Sequence, residues 1–224
     1  VAPRFEDWER DGIVPREVFA AAGSNGFIAT QVAEEYGGAG VDDFRFNVVL
    51  SEECFRLSLG GFGVGLTLHN DVCLPYFLEY CDDEQKQRWL PGITDGTLIT
   101  AIAMTEPGTG SDLAGIKTKA IRDGDHYIVN GAKTFITNGI NGDLLVTAVK
   151  TDPSQRHKGI SMLVIEGDTP GFERGRNLEK VGMHSQDTAE LFFNDARVPV
   201  ENLLGAEGQG FTQMVHNLAQ ERLS

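Results

Sequence analysis

Up to about residue 96 the apolar residues recur with helical spacing, and from about Leu98 the period shortens to that of strands. In the first part, Pro15 is placed to open a helix carrying Val18, Phe19 and Ala22, which Gly23 and Gly26 close. Asp42 or Asp43 caps a second helix, in which Phe44, Val48, Val49, Cys54, Phe55 and Leu59 leave only a narrow polar face around Ser51 to Glu53 and Arg56. That helix is expected to be largely buried. Gly60, Gly61, Gly63 and Gly65 break it, and a further apolar helix runs through Leu66 to Tyr80 with a kink at Pro75. Asp82 and Gln85 form a capping-box pattern ahead of Trp89, and Pro91 is expected to end the helical part. Six short runs rich in apolar and β-branched residues follow: 98–105, 126–130, 133–137, 144–150, 160–166 and 190–194, separated by Gly, Asp, Asn and Pro turns. Pro199 and Gly205 then lead back to helix near Gly210. The fold class is therefore α+β. It comprises an N-terminal helical domain over 1–96, a mostly antiparallel β-barrel or sandwich over 97–207, and the beginning of a C-terminal helical domain over 208–224.

Size and charge narrow the function. A chain of 224 residues buries roughly 70% of its unfolded surface, enough for a substantial core. With 19 basic against 33 acidic residues, the net charge of −14 repels phosphate backbones, which argues against nucleic acid. No apolar run approaches the roughly 18 residues of a membrane span. Cys54, Cys73 and Cys81 lack CxxC spacing and read as reduced core thiols. The chain begins at Val1 without a segment resembling a signal peptide, so any targeting piece is expected to be absent or removed. The apolar-periodic stretch from Phe211 to Ser224 has no stop signal and reads as a helix cut short.

The five histidines show no HExxH or paired spacing, so no metal site is inferred. GxGxxG, GxxxxGK[ST] and GxSxG are also missing. What remains is Ala103-Met104-Thr105-Glu106-Pro107-Gly108-Thr109-Gly110-Ser111-Asp112, a strand entering a Pro-Gly-Thr-Gly turn ringed by hydroxyls. Such a turn brings backbone amides close to a ligand, although alone it reads more often as a plain β-turn. A second cluster, Lys133-Thr134-Phe135-Ile136-Thr137-Asn138-Gly139, also ends a strand in Thr before a turn. Phe135 and Thr137 share a face by the two-residue strand period, an apolar plane beside a hydroxyl that suits a planar heterocycle. A core Phe with a solvent-facing Thr is the simpler alternative.

Together with Glu34-Glu35-Tyr36-Gly37-Gly38-Ala39-Gly40, Gly115-Ile116-Lys117-Thr118, Asn130-Gly131-Ala132-Lys133 and Asp187-Thr188-Ala189-Glu190-Leu191-Phe192-Phe193, these motifs resemble the acyl-CoA dehydrogenase family. Its members are flavoproteins that oxidise acyl-CoA thioesters to trans-2-enoyl-CoA. The resemblance covers nearly the whole chain and implies a helical domain, a β-domain and a C-terminal four-helix domain that is here mostly missing. It implies FAD as cofactor, with Ile102, Ala103, Met104 and Thr105 and the turn through Gly110 to Ser111 lining the isoalloxazine and phosphate part. Thr105 would bond the pyrimidine edge, Thr137 would bond N5, and Phe135, with Ile136 beside it, stands where many relatives carry a stacked Trp. Ser111 would also meet the CoA thioester arm.

The family's chemistry needs a carboxylate to take the α-proton while the β-hydrogen leaves as hydride on the other side. A long-chain and isovaleryl subgroup places that carboxylate in a Glu-Arg-Leu pattern, which Gln220-Glu221-Arg222-Leu223 matches. Glu221 is thereby the candidate base, with a base beyond Ser224 as the alternative, and Arg222 is a weaker candidate for substrate contact. A competent Glu221 is expected to be desolvated, with a raised pKa. Glu106 and Asp112 are read as caps for backbone amides rather than proton carriers. Lys117, Lys119 and Lys133 are candidates for attracting CoA phosphates, with solvated strand lysines the more frequent outcome. The resemblance further implies electron-transferring flavoprotein as electron acceptor, a homotetramer or homodimer, and a bacterial cytoplasmic or mitochondrial matrix location. Because the family also grips FAD through its C-terminal domain and a neighbouring subunit, these residues alone are expected to hold it weakly and to be inactive. An acyl-CoA oxidase or flavin monooxygenase on the same fold, and a noncatalytic acyl-CoA-binding module, are the competing readings.

Overall fold

The computed structural model describes residues 1–223. The helical part consists of α1 (Phe5–Asp11), α2 (Glu17–Ser24), α3 (Arg45–Arg56), α4 (Gly60–Thr67), α5 (Leu74–Tyr80) and α6 (Asp83–Asp95). The capping box forms as the sequence predicts: Gln85 N donates to Asp82 Oδ1 at 2.8 Å and Asp82 N donates back to Gln85 Oε1 at 3.0 Å. Pro91 does not end α6. It sits on the exposed side, where the carbonyl it leaves unpaired, on exposed Gln87, reaches solvent, while buried Trp89, Leu90 and Ile93 hold the helix to the core.

Further helical expectations are refined or corrected. The helix through Phe44 ends at Arg56, ahead of the glycines expected to break it, and those glycines then form α4, where they let the helix approach its neighbours. A Cβ on Gly65 would lie 2.6 Å from Gln186 Oε1. The predicted helix from Leu66 to Tyr80 is then interrupted by a π-helical turn, Leu68–Cys73, that joins α4 to α5 and leaves Pro75 in the first turn of α5. The helix around Phe44 to Leu59, expected to be buried, is mostly exposed. In α3 only Cys54 is buried, and Phe46, Val49 and Phe55 are each more than half exposed. Its apolar residues surround the helix, and it packs against only one neighbouring layer of the described residues.

The β part holds eight strands: β1 (Thr100–Ala103), β2 (Lys119–Asp123), β3 (His126–Thr137), β4 (Leu144–Lys150), β5 (Ile160–Glu166), β6 (Phe172–Asn177), β7 (Thr188–Pro199) and β8 (Leu203–Leu204). They form one sheet in the order β6-β7-β3-β2-β4-β5-β8, with β1 beside β4. Most pairs are antiparallel, but β1 and β2 run parallel to β4, so the sheet is mixed. β4 and β5 coincide with their predicted runs. The two runs at 126–130 and 133–137 are one strand bent at Gly131, where the pairing with β7 shifts register and φ is +153°. β2 and β6 were not foreseen, since both are largely exposed and carry no apolar alternation. The last helix, α7 (Gly210–Leu223), returns over β5 and the π-helical turn.

Two cores flank the sheet. Tyr76, Phe77 and Trp89 of the helices pack with Val146, Met162 and Val164 and with Met214 of α7 on one face. Leu145, Leu163, Ile165, Tyr127 and Phe193 fill the other. All of β4 is consequently buried, alternate side chains entering each core. The three cysteines are buried and unpaired. Among the described residues, no helix is long and apolar enough to cross a membrane.

Candidate functional site

The first predicted cluster follows β1. Glu106 N donates to Thr109 O at 2.9 Å and Thr109 N returns to Glu106 O at 3.0 Å, closing the Pro107-Gly108 turn. The Glu106 carboxylate is buried and accepts from Lys117 N at 2.6 Å, Thr118 N at 2.9 Å and Lys133 Nζ at 3.0 Å. Glu106 therefore ties down backbone amides, as its sequence context predicts. Burial alone would raise its pKa, but the Lys133 charge and these donors outweigh it and hold the carboxyl below its ordinary value. Lys133, fully buried, also donates to Met104 O at 3.0 Å. Its expected attraction of CoA phosphates is corrected: the ammonium is sealed inside the β part, where desolvation lowers its pKa against the pull of Glu106. Lys117 and Lys119 remain exposed.

The second cluster lies alongside. Thr134 N donates to Thr105 O at 2.9 Å, bringing the two Thr-tipped segments together. Lys133 pairs with Leu191 and Ile136 with Ala189, so two β3 residues oppose one on β7. This bulge drives Phe135 outward at φ +59°, leaving it 67% exposed, while Ile136 is 2% exposed. Thr137 is half-buried on the same side as Phe135. Asn138 follows, buried, with Nδ2 donating to Thr100 O and Gly65 O, both at 3.1 Å, while its Oδ1 accepts from Gln186 Nε2 at 3.1 Å. Asp187 Oδ2 in turn accepts from Ile140 N at 2.7 Å and Asn141 N at 3.2 Å.

Residues around β1 are thus tied to residues around the end of β3 at two points, Thr105 with Thr134 and Thr100 with Asn138. Ile102, Met104, Thr105 and Thr137 are half-buried and Phe135 is exposed. Ala103 and Ile136 turn their side chains into the core, so only their backbones face a ligand here. Gly110 and Ser111 lie exposed in the turn, and Asp112 pairs with Arg156 at 2.7 Å. These residues fit a flavin. Phe135 presents a bulky ring in a strained left-handed conformation with most of its surface uncovered, hydroxyls stand nearby, and Cβ positions at Gly108 and Gly110 meet nothing within 4 Å.

Glu221 belongs to a third group. It is half-buried on α7 and accepts a hydrogen bond from Tyr76 Oη at 2.9 Å. Burial raises its pKa against that bond and the Arg222 charge. Arg222 itself is exposed. Cys73, fully buried in the π-helical turn, has its thiol pKa raised by burial and, to a smaller extent, by the Glu221 charge. Thr100 joins that turn, through His69, to the Thr137 end of β3, through Asn138.

Two family descriptions match: "Acyl-CoA dehydrogenase, N-terminal domain" over residues 1–97 and "Acyl-CoA dehydrogenase, middle domain" over residues 101–196. The chain belongs to the acyl-CoA dehydrogenase family. It is 42% identical to the long-chain specific acyl-CoA dehydrogenase of Sus scrofa mitochondria over 100% of this chain and 52% of that protein. Among solved structures, an acyl-CoA dehydrogenase from Geobacillus kaustophilus superimposes with TM-score 0.94 at 58% identity, covering 99% of this chain and 58% of that one. A glutaryl-CoA dehydrogenase from Mycobacterium smegmatis in complex with FADH2 superimposes with TM-score 0.87 at 30% identity, covering 99% and 55%. The chain spans about half the length of the curated relatives it matches.

Four residues that hold this region together carried little local signal of that role in the sequence. Tyr76 looked like one more apolar-face residue. Asn138 and Gln186 stood inside motifs, but their bonds to each other and to α4 are long-range. His69 is fully buried, with Nδ1 accepting from Thr100 N at 3.2 Å, which leaves Nε2–H to donate to Ile93 O at 3.0 Å. Burial lowers its pKa to about 4 against the Ile93 bond, so the ring is neutral. The polar run His69-Asn70-Asp71 within an apolar helix was the available signal.

Proposed function

We propose that the full-length protein is an FAD-dependent acyl-CoA dehydrogenase that desaturates long-chain acyl-CoA to trans-2-enoyl-CoA, with Glu221 as base and electron-transferring flavoprotein as acceptor. The observation that carries this reading is the half-buried Glu221 carboxylate held by Tyr76, in a chain where the backbone bond from Thr134 N to Thr105 O brings the Thr105 segment beside Phe135 and Thr137. FAD, when bound, supplies the two-electron acceptor for the hydride from the substrate β-carbon. Thr105, Thr137 and the turn to Ser111 would bind and orient it, Phe135 would cover its plane, and Glu221 would take the α-proton onto its carboxylate as the new C=C bond forms. Burial that raises the Glu221 pKa suits a base working near neutral pH. The long-chain assignment rests on Gln220-Glu221-Arg222-Leu223 and the Sus scrofa relative.

The test uses full-length holoenzyme mixed anaerobically with acyl-CoA of graded chain length while flavin absorbance is followed. The expected result is bleaching that is fastest with long chains and lost in Glu221→Gln, which keeps its flavin. Near-normal bleaching in that variant places the base elsewhere. Peroxide formed in air without an artificial acceptor would instead indicate an oxidase.

A further inference from the structure

We infer that Tyr76 is the positioning residue for the Glu221 carboxylate, holding one oxygen so that the other is presented to the substrate. The inference rests on the reading of Glu221 as base. Tyr76 is fully buried on α5, and its ring is tilted against Tyr80 at a centroid separation of 6.1 Å. Its hydroxyl donates to Oε1 of Glu221 across the junction between α5 and α7. That hydroxyl is the side-chain donor acting on the carboxylate. A glutamate side chain has three rotatable bonds, and in the last turn of α7 it would otherwise be free to turn toward solvent beside exposed Arg222. Tyr76 is itself held by burial and by its packing against Tyr80, so its hydroxyl engages Oε1 from a fixed position and Oε2 is left as the acceptor.

The charged and titratable groups around the carboxylate fix the electrical consequence. Tyr76 faces it from α5, Cys73 from the π-helical turn and Arg222 from α7 itself. Burial pushes the Tyr76 phenol and the Cys73 thiol well above their ordinary ranges, so both stay protonated and the phenol is a permanent donor. A donor to the carboxylate favours its ionised form, opposing the burial that favours the neutral acid. Tyr76 therefore sets both where Oε2 points and the pH at which it becomes a base.

The test measures the pH dependence of flavin reduction by acyl-CoA in full-length holoenzyme carrying Tyr76→Phe, which keeps the ring. At neutral pH the rate falls about 10-fold and the acid limb moves up by about one pH unit, as expected for a lost hydrogen bond to a charged group. KM for the acyl-CoA changes little. A purely structural tyrosine would leave the limb in place, so a profile superimposable on the parent overturns the inference. Replacement of Tyr76 by meta-fluorotyrosine serves if Tyr76→Phe does not fold. The more acidic phenol moves the limb down if it bonds the base, and an unmoved limb overturns the inference. Glu221→Gln run in parallel separates the two failures: normal reduction there defeats the base assignment, whereas loss there with an unmoved limb at Tyr76 defeats only the positioning role.

Discussion

Replacing Lys133 with Met keeps the length of the side chain while removing the charge that holds the turn after β1. Three bonds depend on that charge or sit beside it: Nζ to Met104 O at 3.0 Å, Nζ to Glu106 Oε1 at 3.0 Å, and the Thr134 N to Thr105 O bond from the next residue at 2.9 Å. Lys133 is 0% exposed and Glu106 7%, so water cannot replace the lost partner. Removing one member of a buried pair costs about 3–5 kcal/mol, because the remaining charge stays desolvated. Glu106 keeps Lys117 N and Thr118 N, which places the expectation toward the lower figure. For a unit of this size, about 2–4 °C of Tm accompanies each kcal/mol, giving a fall of roughly 6–20 °C. The sign with pH follows from Glu106. In the parent its folded pKa lies below the unfolded value, so its contribution is present above the unfolded pKa of about 4.5 and is lost as pH falls through the folded value. In the variant burial is no longer outweighed, so its pKa rises and acid relieves the unpaired charge. Thermal unfolding of the full-length protein from neutral to acidic pH should show the gap between parent and variant narrowing as acid is added. A variant within about 1 kcal/mol of the parent at neutral pH, or a gap that does not narrow, would refute the strut role of the pair.

Thr137→Val, which preserves shape and removes one hydroxyl, should weaken flavin binding about 10-fold without lowering Tm of the apoprotein, read by titration of the visible absorbance; unchanged affinity would remove Thr137 from the site. Asp71 is buried and receives a bond from Asn47, and burial raises its pKa to about 6. Because that folded value exceeds the unfolded one of about 3.8, its ionisation destabilises the protein as pH rises through this window. Asp71→Asn should therefore gain up to about 3 kcal/mol at neutral pH and almost nothing near pH 4 by denaturant unfolding, and an equal gain at both pH values would contradict the assignment.

The periodicity carried the fold well where each strand had one consistent environment. β4 and β5 are largely apolar because both faces are covered, and their limits follow from composition alone. β2 and β6 were illegible for the opposite reason: they are held by backbone pairing to β3 and β7, with little apolar surface of their own. The apolar run of α3 predicted burial, yet hydrophobicity states only that a surface favours cover, not which layer supplies it. In the candidate site, the segments of Thr105 and Thr137 stood out because each places a short hydroxyl just before a turn. The reach of Phe135 into solvent depends on a bulge defined by the partner strand, and the roles of Lys133, Tyr76 and His69 depend on residues between 24 and 145 positions away. No local pattern records such pairings.

The π-helical turn links these observations. In an α-helix each residue advances the side-chain direction by about 100°, so one extra residue in a turn rotates everything after it by that amount. Leu68–Cys73 therefore sets the phase of α5, and with it whether Tyr76 or a neighbour meets α7. Within the same turn, His69 Nδ1 accepts from the N–H of Thr100, the first residue of β1, while Asn70 Oδ1 accepts from Ala29 N at 2.9 Å. The turn is held at its far ends by groups that are costly to leave unpaired, since His69 and Asn70 are both buried. Its irregular winding is thereby held by bonds that regular helix would forfeit. The same bonds fix the start of β1, whose carbonyl at Thr100 receives Asn138, the residue after Thr137. One local departure from α-helical winding thus sets the direction of Tyr76 toward Glu221 and anchors the strand that leads to Thr105.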